Sequence, residues 1–194
     1  MGKDLESEGD FLTGQLIIAM PAMSDPRFTR SVICICAHSE SGAIGLIINK
    51  VIESLSFSKI CKQLKLDTKG MKVGYSGGIY FGGPVEIERG FILHSNDYSL
   101  ESSTVINKRI TMTASTQILQ ALANGEGPKK SIIALGYAGW GPGQLDAELR
   151  ANAWLSIDSD QELIFSNKIA DKWDKALEKI GVTPSLLSSD YGRA

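Results

Sequence analysis

Three residues that often bind metals or act as nucleophiles lie close together near the start of the chain, namely Cys34, Cys36 and His38. Alternate residues of an extended strand share one face, so this spacing places all three side chains on the same side. A strand rises about 3.3 Å per residue, which puts Cys34 and His38 about 13 Å apart. Zinc ligands must lie within about 2.3 Å of one ion, which a straight strand does not permit. We therefore predict core cysteines, with no metal and no cofactor.

A conventional imidazole base can come only from His38 or His94, the two histidines of the chain. The sequence contains no nucleophile elbow, no zinc-protease helix motif and no phosphate-binding P-loop. His94 precedes Ser95, but neighbours in a strand face opposite ways and do not form a catalytic pair. An enzyme would need His38 or His94 to meet Asp25 in one cleft. These three residues are candidates only; we assign no catalytic residue and favour a protein without enzymatic activity.

Two glycine-rich segments, residues 77–84 and 136–144, are the next candidates for chemistry. The second lies between a predicted strand and a predicted helix, where free backbone N–H groups favour an anion. Asp146 and Glu148 follow in the first turns of that helix and would repel phosphate. Two interpretations stay open: a ligand-binding loop with Trp140 as a stacking surface, or glycines that only provide backbone conformations with positive φ.

Five residues are candidates for binding a small anion or a protein partner, because arginine pairs with carboxylate or phosphate and tryptophan supplies an apolar wall. They are Arg30, Arg89, His94, Trp140 and Gln144. A structural alternative for Arg30 is an ion pair with Asp25 that holds the loop at residues 21–28. The lysines of residues 59–72 likewise fit either a solvated helix face or contacts to phosphate.

The composition limits what the chain can be and what it can bind. Its 194 residues are 43% hydrophobic and have a net charge of −2, which is typical of one globular domain without the basic excess of a general nucleic-acid binder. Three cysteines are too sparse for a disulfide framework. No apolar run reaches the roughly 18–20 residues that span a bilayer, and no signal peptide is evident. We expect a cytoplasmic protein without membrane partners, with a loose tail at residues 1–10 and one domain at residues 11–194.

Strand and helix patterns alternate along the chain, which indicates the α/β or α+β class with a mixed sheet. Runs rich in valine, isoleucine and phenylalanine predict strands at residues 15–19, 30–36, 43–49, 90–94, 104–111, 131–136 and 161–165. Apolar residues at helical spacing predict helices at residues 57–64, 113–123, 144–152 and 167–181. About four helices therefore flank the predicted sheet.

Blocks of the sequence at residues 14–33, 42–49, 82–85 with 89–95, and 136–145 resemble the YqgE/AlgH family of bacterial proteins. The resemblance implies a cytoplasmic protein with a mixed sheet curled into a partial barrel, and it implies no known reaction. One branch of the family has a name linked to regulation of alginate synthesis. The chain has Ala37 where the family often has glutamate, and it ends Gly192-Arg193-Ala194 where the family commonly has histidine in the middle position.

Three functional hypotheses follow, in order of preference. The first is a binding or adaptor protein that recognises a small anionic ligand or a protein partner. The second is a transcription-associated regulator, for which the sequence offers no DNA-binding motif, so nucleic acid is not an expected partner. The third is an enzyme that uses His38 or His94.

Overall fold

The computed structural model describes residues 11–68 and 75–182, so the predicted tail at residues 1–10 lies outside the described residues. The strands of this part are β1 (Leu16–Ala19), β2 (Val32–Ser39), β3 (Gly42–Ile47), β4 (Ile79–Phe81), β5 (Val85–Ser95), β6 (Ser103–Val105), β7 (Ile110–Thr113), β8 (Ser131–Trp140) and β9 (Trp154–Ile157). The helices are α1 (Phe57–Gln63), α2 (Thr116–Asn124), α3 (Gln144–Arg150), α4 (Gln161–Phe165) and α5 (Lys172–Glu178), with a 3₁₀ turn at Ile169–Asp171. None of the helices in residues 11–68 and 75–182 is long and apolar enough to cross a membrane.

All strands join one sheet in the order β6-β7-β5-β8-β3-β2-β1-β9, and β4 pairs with β8 as the parallel member. The sheet forms a half-barrel, which confirms the predicted single domain with a mixed sheet and flanking helices. Strand β8 is shared: residues 131–135 pair with β5 and residues 138–140 pair with β3. Strand β1 lies between β2 and β9, since Leu16 lies opposite Cys34 of β2 and Ile157 of β9.

A large bulge interrupts the pairing of β5 with β8. Val85 pairs with Tyr137 and Gly90 pairs with Leu135, so residues 86–89 of β5 face the single residue Gly136. Gly136 has φ +70°, and a Cβ there would lie 2.3 Å from the carbonyl oxygen of Gly83. The two glycine-rich segments therefore meet at this bulge, and their closest contacts are between backbones, which favours the conformational interpretation.

Alternating side chains place separate cores on the two faces of the sheet. On one face, β1–β3 and β8 pack against α4 and α5, through residues that include Leu16, Ile18, Leu46, Leu163, Trp173 and Leu177. On the other face, Ile17 and Ile33 pack with Leu145 of α3, and at the β5–β8 end Ile92 and Ile133 pack with Leu119 of α2. Helix α1 packs into this last cluster as well, so α1 and α2 both lie over β5 and β8.

Lys172 of α5 is fully buried under the first of these cores. Its Nζ donates hydrogen bonds to the carbonyl oxygens of Ile48 (2.8 Å) and Ile164 (2.6 Å), and it lies 5.2 Å from the centre of the Tyr80 ring. Burial lowers the pKa of this amine to about 7. The side chain therefore joins α5 to α4 and to the end of β3.

Two predicted strands are wrong. Residues 161–165 form α4 because the Asp160 side chain accepts hydrogen bonds from the Glu162 and Leu163 N–H groups and caps a helix. Residues 104–111 are divided into β6 and β7 by a turn in which Asn107 Oδ1 accepts from the N–H of Ile110 at 3.0 Å. The described residues accordingly have five α-helices instead of about four.

Candidate functional site

His94 is fully buried in a hydrogen-bonded network between β5, β6 and β7. Its Nδ1 lies 2.9 Å from the carbonyl oxygen of Ser95, which can only accept, so Nδ1 holds the proton. Nε2 then accepts from the Thr113 hydroxyl at 2.8 Å, and Thr113 accepts from Ser103 at 2.7 Å. Burial lowers the pKa of His94. Because the unfolded chain binds a proton more readily, stability is lost as the pH falls through the ordinary histidine pKa of about 6.5.

Replacing Thr113 with valine is expected to lower the free energy of unfolding by about 1–3 kcal/mol, because the buried Nε2 of His94 loses its donor while shape is kept. Urea unfolding measures the loss. Thr104→Val is the matched control, since Thr104 is exposed on the neighbouring strand β6. Equal stability of the two variants would contradict the network.

The three catalytic candidates have separate partners. His38 Nδ1 accepts from the N–H of Leu12 at 3.1 Å, and its Nε2 lies 3.6 Å from Asp146 Oδ2. Asp25 is bound by the Arg27 guanidinium at 2.7 Å, which holds the pKa of that carboxyl below its usual range. Neither histidine hydrogen-bonds to Asp25, so these three described residues form no catalytic pair with one another.

Arg30 binds α5 and not Asp25, so the expected Asp25–Arg30 ion pair is wrong. Its guanidinium lies 3.0 Å from Asp174 Oδ2 and 4.1 Å from the centre of the Trp173 ring. Asp25 lies within reach of Arg27 because both belong to the same tight turn. Arg30 therefore connects this loop to α5.

Trp140 and Gln144 surround the carboxylate of Glu148 on α3. Oε2 of Glu148 accepts from the indoles of Trp140 (3.0 Å) and Trp154 (2.7 Å), and its Oε1 accepts from the Gln144 amide (2.9 Å). Gln144 Oε1 also accepts from the N–H of Gly141. The N–H of Gly141, one of the backbone donors expected to bind an anion, is therefore occupied within the chain.

The structure brings only some of the predicted residues together. Helix α3 brings three of them together: His38 lies beside Asp146 of this helix, Trp140 donates to its Glu148, and Gln144 is its first residue. Arg30, His94 and Arg89 lie at three other places in the fold. Cys34 and Cys36 are free and buried, as predicted. No group of three histidine, cysteine or carboxylate side chains that could hold a metal occurs in the described residues.

Arg89 lies at an apolar groove of about 570 Å³ between α1, α2 and the sheet. Its apolar lining comes from several elements and includes Leu55, Ile60, Leu119, Ile92, Ile133 and Leu135. Leu64 and Ile87 also line it, and they remain 44% and 60% exposed. Gly90 of β5 lines the groove beside Leu135. Solvent-exposed leucine and isoleucine beside an open groove are features of a binding site.

The charged residues at the groove lie on the bulge of β5. Arg89 lies 2.9 Å from Glu86, and its guanidinium is 5.1 Å from the centre of the Phe91 ring. Glu88 lines the groove and is exposed, and no cation among residues 11–68 and 75–182 lies within ion-pair distance of it. The bulge therefore presents two carboxylates and one guanidinium.

A second cleft of about 560 Å³ lies between α4 and the segment that precedes β8. Its lining includes Lys129, Lys130 and Glu162, and none of the large exposed hydrophobic side chains of the described residues borders it. The groove beside Arg89 is therefore the stronger candidate. Only Arg89 was found from the sequence, because the apolar lining residues are indistinguishable from core residues until the fold brings them to one opening.

The comparisons with known sequences give one family. Residues 16–185 match the family model DUF179, described as AlgH-like. A UPF0301 protein of Rhodopseudomonas palustris is 48% identical over 193 residues, which cover 96% of this chain and 88% of the relative. A UPF0301 protein of Jannaschia sp. is 48% identical over 185 residues, which cover 94% of this chain and 95% of the relative.

Two solved structures are similar to this chain. The solution structure of the AlgH protein from Pseudomonas aeruginosa has a TM-score of 0.75 and 37% sequence identity, and the match covers 100% of both chains. The crystal structure of protein DIP2367 from Corynebacterium diphtheriae has a TM-score of 0.72 and 20% identity over 92% of both chains. At that identity, the second match shows the fold alone.

Proposed function

We propose that this chain, which belongs to the AlgH-like family, is a binding protein that receives an apolar segment of a partner protein. The open apolar groove between α1, α2 and β5 is the observation that supports this function. Covering Leu64, Ile87 and the groove floor would remove apolar surface from water, at about 25 cal/mol per Å². The names of the UPF0301 relatives state no reaction, and a fold does not specify a function, so the groove itself supports this proposal.

Charge favours a protein partner over a small anionic ligand at this groove. The guanidinium of Arg89 is already paired with Glu86, and Glu88 adds a second carboxylate. A small anion would have to displace Glu86 and approach Glu88. Away from the groove, Arg30 is paired with Asp174. No observation of the described residues favours a transcription-associated regulator or an enzyme, so neither is proposed.

The compartment that we propose is the cytoplasm. All three cysteines, Cys34, Cys36 and Cys61, are free and buried. Free cysteines without disulfides are typical of proteins kept in a reducing compartment.

A peptide-display selection tests the proposed function. Random peptides are selected on the wild-type protein and counter-selected on Gly90→Phe, a variant that fills the groove floor. We expect enriched peptides to be apolar, and we expect their affinity, measured by fluorescence anisotropy, to fall at least about tenfold on Gly90→Phe, which is about 1.4 kcal/mol.

Val105→Phe is the matched control, because it adds a phenylalanine at a 66% exposed position on β6 outside the groove lining. This control should bind the selected peptides like the wild type. Melting temperatures verify that both variants are folded. Failure to enrich apolar peptides, or equal binding to the two variants, would refute the proposed function.

A further inference from the structure

Gly90 lies inside strand β5, where glycine is destabilising by about 0.5–1 kcal/mol relative to alanine. Its φ is not positive, and a Cβ built there would contact only Leu135 Cδ2, at an ordinary 3.9 Å. A Cβ at Gly82 or Gly136 would instead lie within 2.3 Å of a backbone oxygen. The fold therefore requires glycine at those two positions but not at position 90. A glycine inside a strand often marks a bulge or a place where another molecule approaches the backbone, and Gly90 lies both at the end of the β5 bulge and in the lining of the groove.

The shape of the site favours a helix over an added strand. An extended peptide binds by continuing a regular ladder of backbone hydrogen bonds. Next to Gly90, residues 86–89 are bulged and Glu86 has φ +46°, so this stretch of β5 offers no regular edge. The groove is bounded instead by the helices α1 and α2 above an apolar floor. An amphipathic helix places its apolar side chains at i, i+3, i+4 and i+7 into such a groove.

The charge at the groove specifies the polar side of that helix. Glu86 and Arg89 neutralise one another, and the carboxylate of Glu88 is left without a cation among the described residues. The bulge as a whole has a net charge of −1, from two carboxylates and one guanidinium. A lysine or arginine beside the apolar stripe of the partner would complement it, whereas an acidic residue would be repelled.

We infer, on the basis of the proposed function, that the groove binds an amphipathic helix of a partner protein. A lysine or arginine of that helix pairs with Glu88. Because Gly90 has no side chain, the groove is deep enough for the apolar side chains of that helix to lie over Leu135. Glu88 is then a specificity-determining residue, and Gly90 determines whether the site is open.

The test uses the tightest peptide from the display selection. We expect it to contain a lysine or arginine beside residues at helical apolar spacing, and to gain helical circular dichroism when it binds. Glu88→Lys should weaken binding at least about fivefold, and changing the basic residue of the peptide to glutamate should restore it. Glu101→Lys, a charge reversal at an exposed residue outside the groove lining, should leave affinity within about twofold, the size of a screened distant charge effect.

The outcomes separate this inference from the function on which it rests. Selected peptides that lose affinity on Gly90→Phe but bind without helix formation, or respond equally to Glu88→Lys and Glu101→Lys, overturn the helix and its basic residue while the groove remains a binding site. If no apolar peptide is enriched, or if Gly90→Phe has no effect, the proposed function and this inference are both wrong.

Discussion

Replacing Gly136 with alanine is expected to lower the free energy of unfolding by about 4 kcal/mol or more, which would leave little folded protein. The new Cβ would lie 2.3 Å from the Gly83 carbonyl oxygen and 2.9 Å from that of Val85. Both contacts are with backbone, so neither can be relieved by a side-chain rotation. The left-handed φ of +70° adds conformational strain for any residue with a Cβ.

Gly90→Ala is the control for this prediction, because it adds the same methyl group at a strand position with space for it. Its stability should equal that of the wild type or exceed it by up to about 1 kcal/mol. Urea unfolding of both variants, with the yield of soluble protein, measures the difference. A Gly136→Ala protein within 1 kcal/mol of Gly90→Ala would show that the bulge can rearrange.

Replacing Lys172 with methionine is expected to remove a large pH dependence from the stability of the protein. A neutral amine has two hydrogens, which match the two carbonyl acceptors at Ile48 and Ile164. No carboxylate of the described residues forms an ion pair with Lys172. Burial therefore favours the neutral form and lowers the pKa to about 7, whereas the unfolded chain keeps the ordinary value of about 10.4.

The direction in which stability changes with pH follows from proton binding. Between pH 7 and pH 10 the unfolded chain holds a proton that the folded chain has released, so stability due to Lys172 rises with pH. Between pH 7 and pH 9 the gain amounts to about 2 kcal/mol. Below pH 7 both states are protonated and this contribution levels off at its least favourable value.

The measurement is the free energy of unfolding of the wild type minus that of Lys172→Met at pH 7 and at pH 9. This difference should increase by about 2 kcal/mol between the two pH values. The subtraction removes the effect of tyrosine and cysteine titrations on stability, because both proteins share them. Lys168→Met, at an exposed lysine of the same region, should show no such change. A constant difference for Lys172→Met would mean that the buried amine stays protonated throughout.

Much of the fold was predictable from local pattern and resemblance. The resemblance to the YqgE/AlgH family is confirmed, and with it the partial barrel that periodicity could not give. Helix α2 was predicted from the apolar stripe of Ile118, Leu119 and Leu122. Residues 161–165 were predicted as a strand because their apolar side chains suit a strand, whereas the decisive feature, the Asp160 cap, lies one position before them. A short segment is governed by its cap more than by its propensity.

The candidate site was less predictable, for two physical reasons. Arg89 was singled out by its charge, yet its partner Glu86 becomes close only because β5 bulges against Gly136. The groove itself depends on Leu64, Leu119 and Leu135, which come from different elements and look like core residues in the sequence. The glycine segments were recognised as important, but only the folded chain shows that Gly136 is sterically required and that Gly90 leaves open space.

The pairing of β1 with β9 also determines when the protein can fold during its synthesis. Leu16 lies opposite Ile157, and Trp173 donates its indole N–H to the Ala19 carbonyl oxygen at 2.9 Å. Ribosomes add about 5–20 residues per second, so β1 waits roughly 7–28 s for its last neighbour to be made. Through that interval the edge of β1 that later pairs with β9 has unpaired backbone N–H and C=O groups, so we expect the nascent chain to be prone to wrong strand pairing. The pairing of β1 with β9 can form only after residue 157 has been made.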